Sequence, residues 1–393
     1  MKFSTFIDFL LEYSIPLIAG VLLALLFANI APESYAIFLN QWPHPAIPFS
    51  FIINDLFMVF FFGLVTTEIV QNGLPGGHLH PLKKAINPIF GTVGGVVMPI
   101  AVYLIYVAIT GEKSLLPGWG ISTATDIALA YLVACVAFGK NHPAVSFLLL
   151  LAIADDGIGL FIIALFYPNP AHPARPLFLL LVVIGMVIVY FLRKKQVGSF
   201  WPYLFTGGSL SWLGLYFAGI HPALALVPII PFLPAGHNLA IAEFVAVAGQ
   251  ATPSLTSKKT APLDRFEIIF KTPVMLGLIG FGLANAGVSF SAMGPATWAV
   301  LLSLIIGKTA GIFIFSFVAI RLGFPLPSGM TLRTLFVASM TAAMGMTVAL
   351  FVAGVAFTDP ALQGAAKMGA LFSAGIAPIV LIVAKQMRVK GHH

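Results

Sequence analysis

Long apolar runs separated by short polar stretches recur along almost the whole chain, and a window of about 19 residues predicts roughly twelve membrane-spanning helices. They fall near residues 10–31, 51–70, 87–110, 118–139, 143–167, 175–193, 200–219, 221–233, 266–287, 295–320, 333–357 and 362–384. The eighth is too short for a level crossing, so a tilt or a contribution from its neighbours is expected. The longest polar interval, 234–265, reads as an inside loop whose first half, 239–248, is apolar enough for an interfacial helix. The chain is therefore expected to be one integral membrane domain over 1–393, all-α and polytopic. Residues 391–393, Gly-His-His, read as the stub of a purification tag.

Two of the twelve spans depart from the smooth apolar pattern. The fourth passes through Gly118, Gly120, Ser122, Thr123, Thr125 and Asp126, and the eleventh through Ser339, Thr341, Gly345 and Thr347. Small and hydroxylated residues at mid-depth suit an unwound backbone, which a bilayer tolerates only where protein or a wet cavity covers it. Such interruptions in corresponding places of two halves point to a transporter built from inverted repeats, here near 87–167 and 295–384, with spans four and eleven as discontinuous, crossing helices.

Composition agrees with lipid as the solvent. Charged residues are 8% of the 393 and apolar ones 59%, whereas a soluble domain carries about 25% charged residues. With a cytoplasmic N-terminus, the inside segments hold Lys2, Lys83, Lys84, Lys140, Arg193, Lys194, Lys195, Lys258, Lys259, Arg265, Lys271, Arg321, Arg333, Lys385, Arg388 and Lys390; the outside holds only Lys113, Arg175 and Lys367. This asymmetry places both termini in the cytoplasm and accounts for most of the net charge of +7. No nucleic-acid partner is implied. The single cysteine, Cys135, forms no intramolecular disulfide and is a poor candidate for metal ligation by itself.

The candidate chemistry lies where charge interrupts the apolar runs. Asp155 and Asp156 sit side by side in the middle of the fifth span. Acids at that depth cost several kcal/mol unless they face a cavity or a counter-charge. Neighbours on a helix point about 100° apart, so one can face a cavity while the other faces an adjacent helix. The alternative, a capping pair at a loop, conflicts with the apolar sequence on both sides. Lys308 lies within the apolar run 301–312 and needs a counter-ion among the aspartates, unless it snorkels to the interface. Asp126, after Thr125, offers an anion to converging half-helix N-termini, or simply caps one half-helix, while Lys308 suits the opposing C-termini. Asp55 and Glu68 read as groups at the ends of span two, Glu267 as a solvated partner of Arg265 and Lys271, and His221 as a structural histidine.

Together these residues resemble the NhaA family of sodium/proton antiporters over nearly the whole chain. The resemblance is carried, in order, by Asn54-Asp55 with residues 57–68, Ala124-Thr125-Asp126-Ile127-Ala128, residues 152–156 running into Ile163-Ala164-Leu165-Phe166-Tyr167, Ala284-Asn285-Ala286-Gly287-Val288, Ile306-Gly307-Lys308 and Gly345-Met346-Thr347. It implies that Asp156 is the principal ligand for the transported cation, Na⁺ or Li⁺, and for the proton. Asp155 is then its neighbour paired with Lys308, and Thr125 and Asp126 form the helix-crossing group. Glu68 and Glu267 fall in the family's cytoplasmic pH-sensing cluster. The resemblance further implies a bacterial inner membrane, pH and sodium homeostasis, a homodimer joined through a hairpin, and no cofactor.

The chain departs from the family's pattern at Gly157-Ile158, expected to loosen the helix beside the paired acids, at Ile69-Val70-Gln71-Asn72 after Glu68, and at Ile268 and Lys271 in place of histidines. Residues 31–50 show no clear strand–turn–strand pattern. The mechanism expected is secondary antiport by alternating access, electrogenic, in which one bundle rocks against another. A carboxylate in a partly dehydrated cavity holds a proton or a small hard cation but not both. The rival readings are a cation channel, a symporter for an organic solute and an intramembrane aspartyl protease. The last needs two carboxylates converging on one water, which adjacent acids do not provide.

Overall fold

The computed structural model describes residues 14–74, 82–168, 175–236 and 261–389, with side chains of 82–84 excluded. Lys2, Lys258, Lys259, Lys390, the polar stretch 237–260 and the terminal Gly-His-His lie outside the described residues, as do the side chains of Lys83 and Lys84. Two compact units emerge from the packing. The first comprises Met1–Ile53, Lys83–Tyr167 and Met275–His393, and the second Asn54–Leu82 and Pro168–Val274.

The described residues are mostly helical. Helices α1 (Ile15–Ile30) and α2 (Pro32–Gln41) precede a minimal hairpin of β1 (Pro43–His44) and β2 (Ile47–Pro48). Then follow α3 (Phe49–Gly73), α4 (Leu82–Thr110), α5 (Ile127–Phe138), α6 (Pro143–Phe166), α7 (Pro176–Lys194), α8 (201–218), α9 (Pro262–Asn285), α10 (Pro295–Arg321), α11 (Leu332–Thr341), α12 (Thr347–Ala356) and α13 (Pro360–Gln386). Among the described residues seven helices, α3, α4, α6, α7, α9, α10 and α13, are long and apolar enough to cross a membrane, and α1, α5 and α12 are shorter apolar helices.

Two expectations need correction. Residues 221–233 form no regular span; they make 3₁₀ turns at Pro222–Leu224 and Ile230–Phe232. Pro222, Pro228, Pro231 and Pro234 remove the N–H groups that a helix would use at regular intervals. The segment 31–50 does contain a hairpin, with Pro43 opposite Pro48 and His44 opposite Ile47. Two residues per strand, with a proline in each, leave no alternating pattern to read. Around Gly157, by contrast, α6 runs without a break. His142 caps its start, with Nδ1 accepting from Ala144 N at 3.1 Å. Burial lowers the pKa of this imidazole from its ordinary value, which favours the neutral ring that accepts.

In the first unit, α4 and α10 meet with no side chain between them at one point. A Cβ on Gly94 would strike the carbonyl oxygen of Gly311, and a Cβ on Gly311 that of Gly94. Nearby, Gly307 packs against Pro99, where a Cβ would lie 2.6 Å from the proline Cα. A π-helical turn, Ser303–Lys308, interrupts α10 at this level. The extra residue of such a turn re-aims the side chains that follow it. In the second unit, α7 and α8 cross at Gly185 and Gly207. Phe60 stacks on Phe270 at 4.6 Å, and Trp212 donates to the carbonyl of Asp55 at 3.0 Å.

The glycine crossing predicts that Gly311→Val lowers thermal stability by at least the roughly 1–3 kcal/mol of core overpacking, because backbone and not a flexible side chain is the obstacle. Gly73→Ala, where nothing lies within 4 Å, leaves the melting temperature in detergent within a degree or two. Thermal unfolding of the purified variants checks both.

Candidate functional site

Two helices of the first unit break at matching places. A 3₁₀ helix, Lys113–Gly120, leads into a non-helical stretch at 121–126 before α5 begins, and α11 leads into a similar stretch at 342–346 before α12 begins. Ser, Thr and Asp compete for backbone hydrogen bonds and disfavour helix, while glycine adds conformational freedom. Tyrosines hold the 3₁₀ segment in place. Tyr103 donates to Leu115 O and Tyr167 to Pro117 O, each at 2.8 Å, and Tyr167 accepts from Gly120 N at 2.8 Å.

Unwound backbone inside a span must find partners, and the two breaks supply them to each other. Asp126 N donates to Met344 O at 2.7 Å, and Thr125 Oγ1 is 3.2 Å from Ala342 O. The Asp126 carboxylate then serves two helix starts. Its Oδ1 accepts from Leu129 N at 3.1 Å in α5, and its Oδ2 accepts from Thr347 N at 3.2 Å and from the Thr347 hydroxyl at the start of α12. One carboxylate thus caps two N-termini, where the partial positive charge of both helices collects.

The basic group bonds to the same break. Lys308, at the end of the π turn and fully buried, donates to Thr123 O at 2.8 Å and pairs with Asp155 Oδ2 at 3.0 Å. Thr125 Oγ1 is 2.7 Å from that same Asp155 oxygen. Asp155 Oδ1 is buried without a hydrogen bond and faces the side of α4 at Gly95, whose Cβ would lie 3.8 Å away. Asp156, next along α6, is 6% exposed where Asp155 is wholly buried. Asp155, Lys308, Thr125 and Asp126 are therefore one connected cluster, with Asp156 adjoining it on α6. Snorkelling of Lys308 is ruled out by its complete burial, and a loop-capping role for the acid pair by its place inside an unbroken helix.

The remaining sequence candidates belong to the second unit. Glu267 pairs with Lys271 at 3.5 Å and accepts from Gln71 Nε2 at 2.8 Å. Glu68 lies one turn before Asn72, which donates to the Glu68 carbonyl at 2.8 Å. Gln71, one of the residues replacing the family's charged run, thus supplies a neutral donor to Glu267. His221 is buried and accepts from Ala223 N at 3.3 Å, a cap for the first 3₁₀ turn.

Sequence reasoning missed Ser373 and the partners of Thr347. Ser373 Oγ accepts from Gly345 N at 3.3 Å inside the second break. It is the one hydroxyl in the apolar sequence of α13, and that isolation was the available signal. Thr347 was visible as a motif residue, but its bonds to Asp126 depend on a contact 221 positions away.

The pairing of Asp155 with Lys308 carries a direct energetic consequence. Removing one member of a buried ion pair strands the other charge, at about 3–5 kcal/mol, while neutralising both costs far less. Lys308→Met is expected to lower unfolding stability by about that amount, and adding Asp155→Asn to recover most of it. A double-mutant cycle on thermal unfolding in detergent measures the coupling.

Comparison with known proteins agrees with the motifs. The family described as Na+/H+ antiporter 1 matches residues 6–384. A protein of Pelobacter propionicus called Na(+)/H(+) antiporter NhaA 1 is 54% identical over 384 residues, covering 98% of each chain. Proteins called Na(+)/H(+) antiporter NhaA from Geobacter sulfurreducens and Desulfitobacterium hafniense are 53% and 55% identical, each across 98% of this chain and across 98% and 96% of their own lengths. The resemblance read from the motifs is borne out, and neither a channel nor an organic-solute symporter is favoured. With its several apolar helices this is a multi-pass membrane protein, a secondary transporter of Na⁺ and H⁺ and not an enzyme, and the chain belongs to the Na+/H+ antiporter 1 family.

Proposed function

We propose that antiport in this chain runs through Asp156 as the shared ligand for proton and cation, with Asp155, Lys308, Thr125 and Asp126 holding the surrounding backbone. The observation that carries the reading is the buried cluster of acid, base and hydroxyl at two broken helices, next to one further carboxylate with slight exposure. Asp155 is wholly buried against Lys308 and Thr125, whereas Asp156 keeps 6% exposure, which makes it the acid suited to exchange. A carboxylate, nearby hydroxyl and carbonyl oxygens, and water make a hard donor set that suits Na⁺ or Li⁺. Binding either ion excludes the proton from the same oxygens, so competition at one site produces exchange. Alternating access opens Asp156 to each side in turn. Movement of a second proton on Asp155 or Lys308 makes the cycle electrogenic.

The same reading takes the fold as about twelve spans with crossing helices and inverted repeats near 87–167 and 295–384. A residue that touches its own counterpart lies on a pseudo-twofold axis, and two contacts in the first unit have this property at one sequence offset. Thr125 meets Ala342 at a separation of 217 positions, and Gly94 meets Gly311 at the same separation. That offset matches Asp156 with Ser373, Asp155 with Phe372 and Lys308 with Gly91. The acids then come from one repeat and the base from the other, each with an uncharged counterpart.

Basic residues at the helix ends support an inner-membrane protein with both termini in the cytoplasm. Arg193 and Lys194 close α7, Arg321 closes α10 and Lys385 closes α13. The hairpin at 43–48, with Trp42 54% and Ile47 50% exposed, supplies an unpaired edge suited to a homodimer. In the cell the exchange serves pH and sodium homeostasis. Glu68 and Glu267 are placed in the proposed cytoplasmic funnel that responds to pH.

The test is transport in proteoliposomes with an imposed pH gradient. Added Na⁺ or Li⁺ collapses the gradient in the wild type, whereas Asp156→Asn shows no cation-dependent proton flux. Full flux in that variant would move the exchange site away from Asp156.

A further inference from the structure

Lys367 has no part in the cluster described above, yet it is an ammonium-bearing residue within an apolar helix. It lies two turns into α13, half-buried, and among the described residues it makes no ion pair or hydrogen bond. Its Cε is 4.0 Å from the position that a Cβ on Gly354 would occupy, and Asn285 Oδ1 is equally close to that position. The surrounding residues thus belong to the last turn of α12 and the last residue of α9.

Both helices that hold Lys367 lead directly to the broken-helix site. Along α13, Ser373 is six residues further on, about 9 Å at a rise of roughly 1.5 Å per residue, and it accepts from Gly345 N in the break. Along α12, Gly354 is seven residues from Thr347, about 10 Å, and Thr347 bonds Asp126. A positive charge on helices that lead to the site, in a medium far less polar than water, acts on a cation there. The basic-residue asymmetry puts this end of α12 and α13 on the outside.

We propose that Lys367 is an electrostatic specificity residue of the antiport cycle: its charge lowers the affinity of the site for Na⁺ when the site is open to the outside, and so promotes cation release there. The proposal rests on the site and orientation given under Proposed function. A neutral competitor exists, in which Lys367 only complements the negative C-terminal end of the α12 dipole. That role would alter stability without favouring one face of the membrane.

The experiment reads Na⁺-dependent proton flux in oriented proteoliposomes, with Na⁺ titrated separately on each face, for the wild type, Lys367→Met and Lys367→Arg. Lys367→Met is expected to reduce the half-saturating Na⁺ concentration on the outer face by about three- to tenfold, the range for one charge roughly 10 Å or more away in a screened medium. The inner face is expected to stay unchanged, and Lys367→Arg to behave as wild type. If Lys367→Met does not fold, Lys367→Gln removes the charge while keeping a polar end. No shift on the outer face, an equal shift on both faces, or a Lys367→Arg variant that behaves like Lys367→Met overturns the proposal. Asp156→Asn in the same vesicles reports on the exchange site separately, so a negative result at Lys367 with that variant inactive counts against Lys367 alone.

Discussion

An ammonium and a carboxylate, both without solvent exposure, meet at 3.0 Å between α10 and α6, and much of the first unit is arranged around keeping that pair satisfied. Neither charge survives at such depth alone. The ammonium also takes a carbonyl from one helix break, and the carboxylate takes a hydroxyl from the same break. The break exists because its residues prefer backbone and capping hydrogen bonds to a helical ladder. Its polar groups are tolerated because a second break lies against it and supplies backbone partners. The π turn in α10 and the glycine crossing with α4 bring Lys308 to this point. Backbone geometry, charge pairing and capping therefore depend on one another.

The arrangement treats two neighbouring acids differently. Helical geometry sends Asp155 and Asp156 in different directions, so Lys308 forms its close ion pair with Asp155 while Asp156 adjoins the cluster from the next position on α6. Asp126 works separately, by serving the N-termini of α5 and α12 together. A charge that caps two helix starts holds the two breaks in register. The proposed charge at Lys367 would act at the far end of α12, where the same helix terminates. The ends of one short helix would then carry an acid that organises the site and a base that tunes it.

Much of this was legible in the sequence because lipid makes charge informative. Asp155, Asp156 and Lys308 stand out in apolar runs, and an intramembrane charge nearly always has a partner or a task. The break at 121–126 was visible as small and hydroxylated residues where leucine would be expected, and that at 342–346 as small residues flanked by Ser339, Thr341 and Thr347. Regular elements were harder wherever proline governed them. The proline-rich stretch 221–233 has the hydropathy of a span but lacks the donors for one, and the hairpin at 43–48 is too short to show alternation. Ser373 escaped notice because its partner is a backbone amide 28 positions away, and no local pattern records such a contact. The reciprocal meeting of Gly94 and Gly311 was hidden for the same reason.

Competition between a proton and a cation for one buried carboxylate is the centre of the account, and proton release on cation binding tests it most directly. Calorimetric titration of the purified transporter with Na⁺, repeated in buffers of different ionisation enthalpy, separates proton release from binding heat. The account predicts that Na⁺ binding at a pH where Asp156 is protonated expels protons, and that Asp156→Asn abolishes both the binding and the release. Na⁺ binding to the wild type with no proton released at any pH would contradict it.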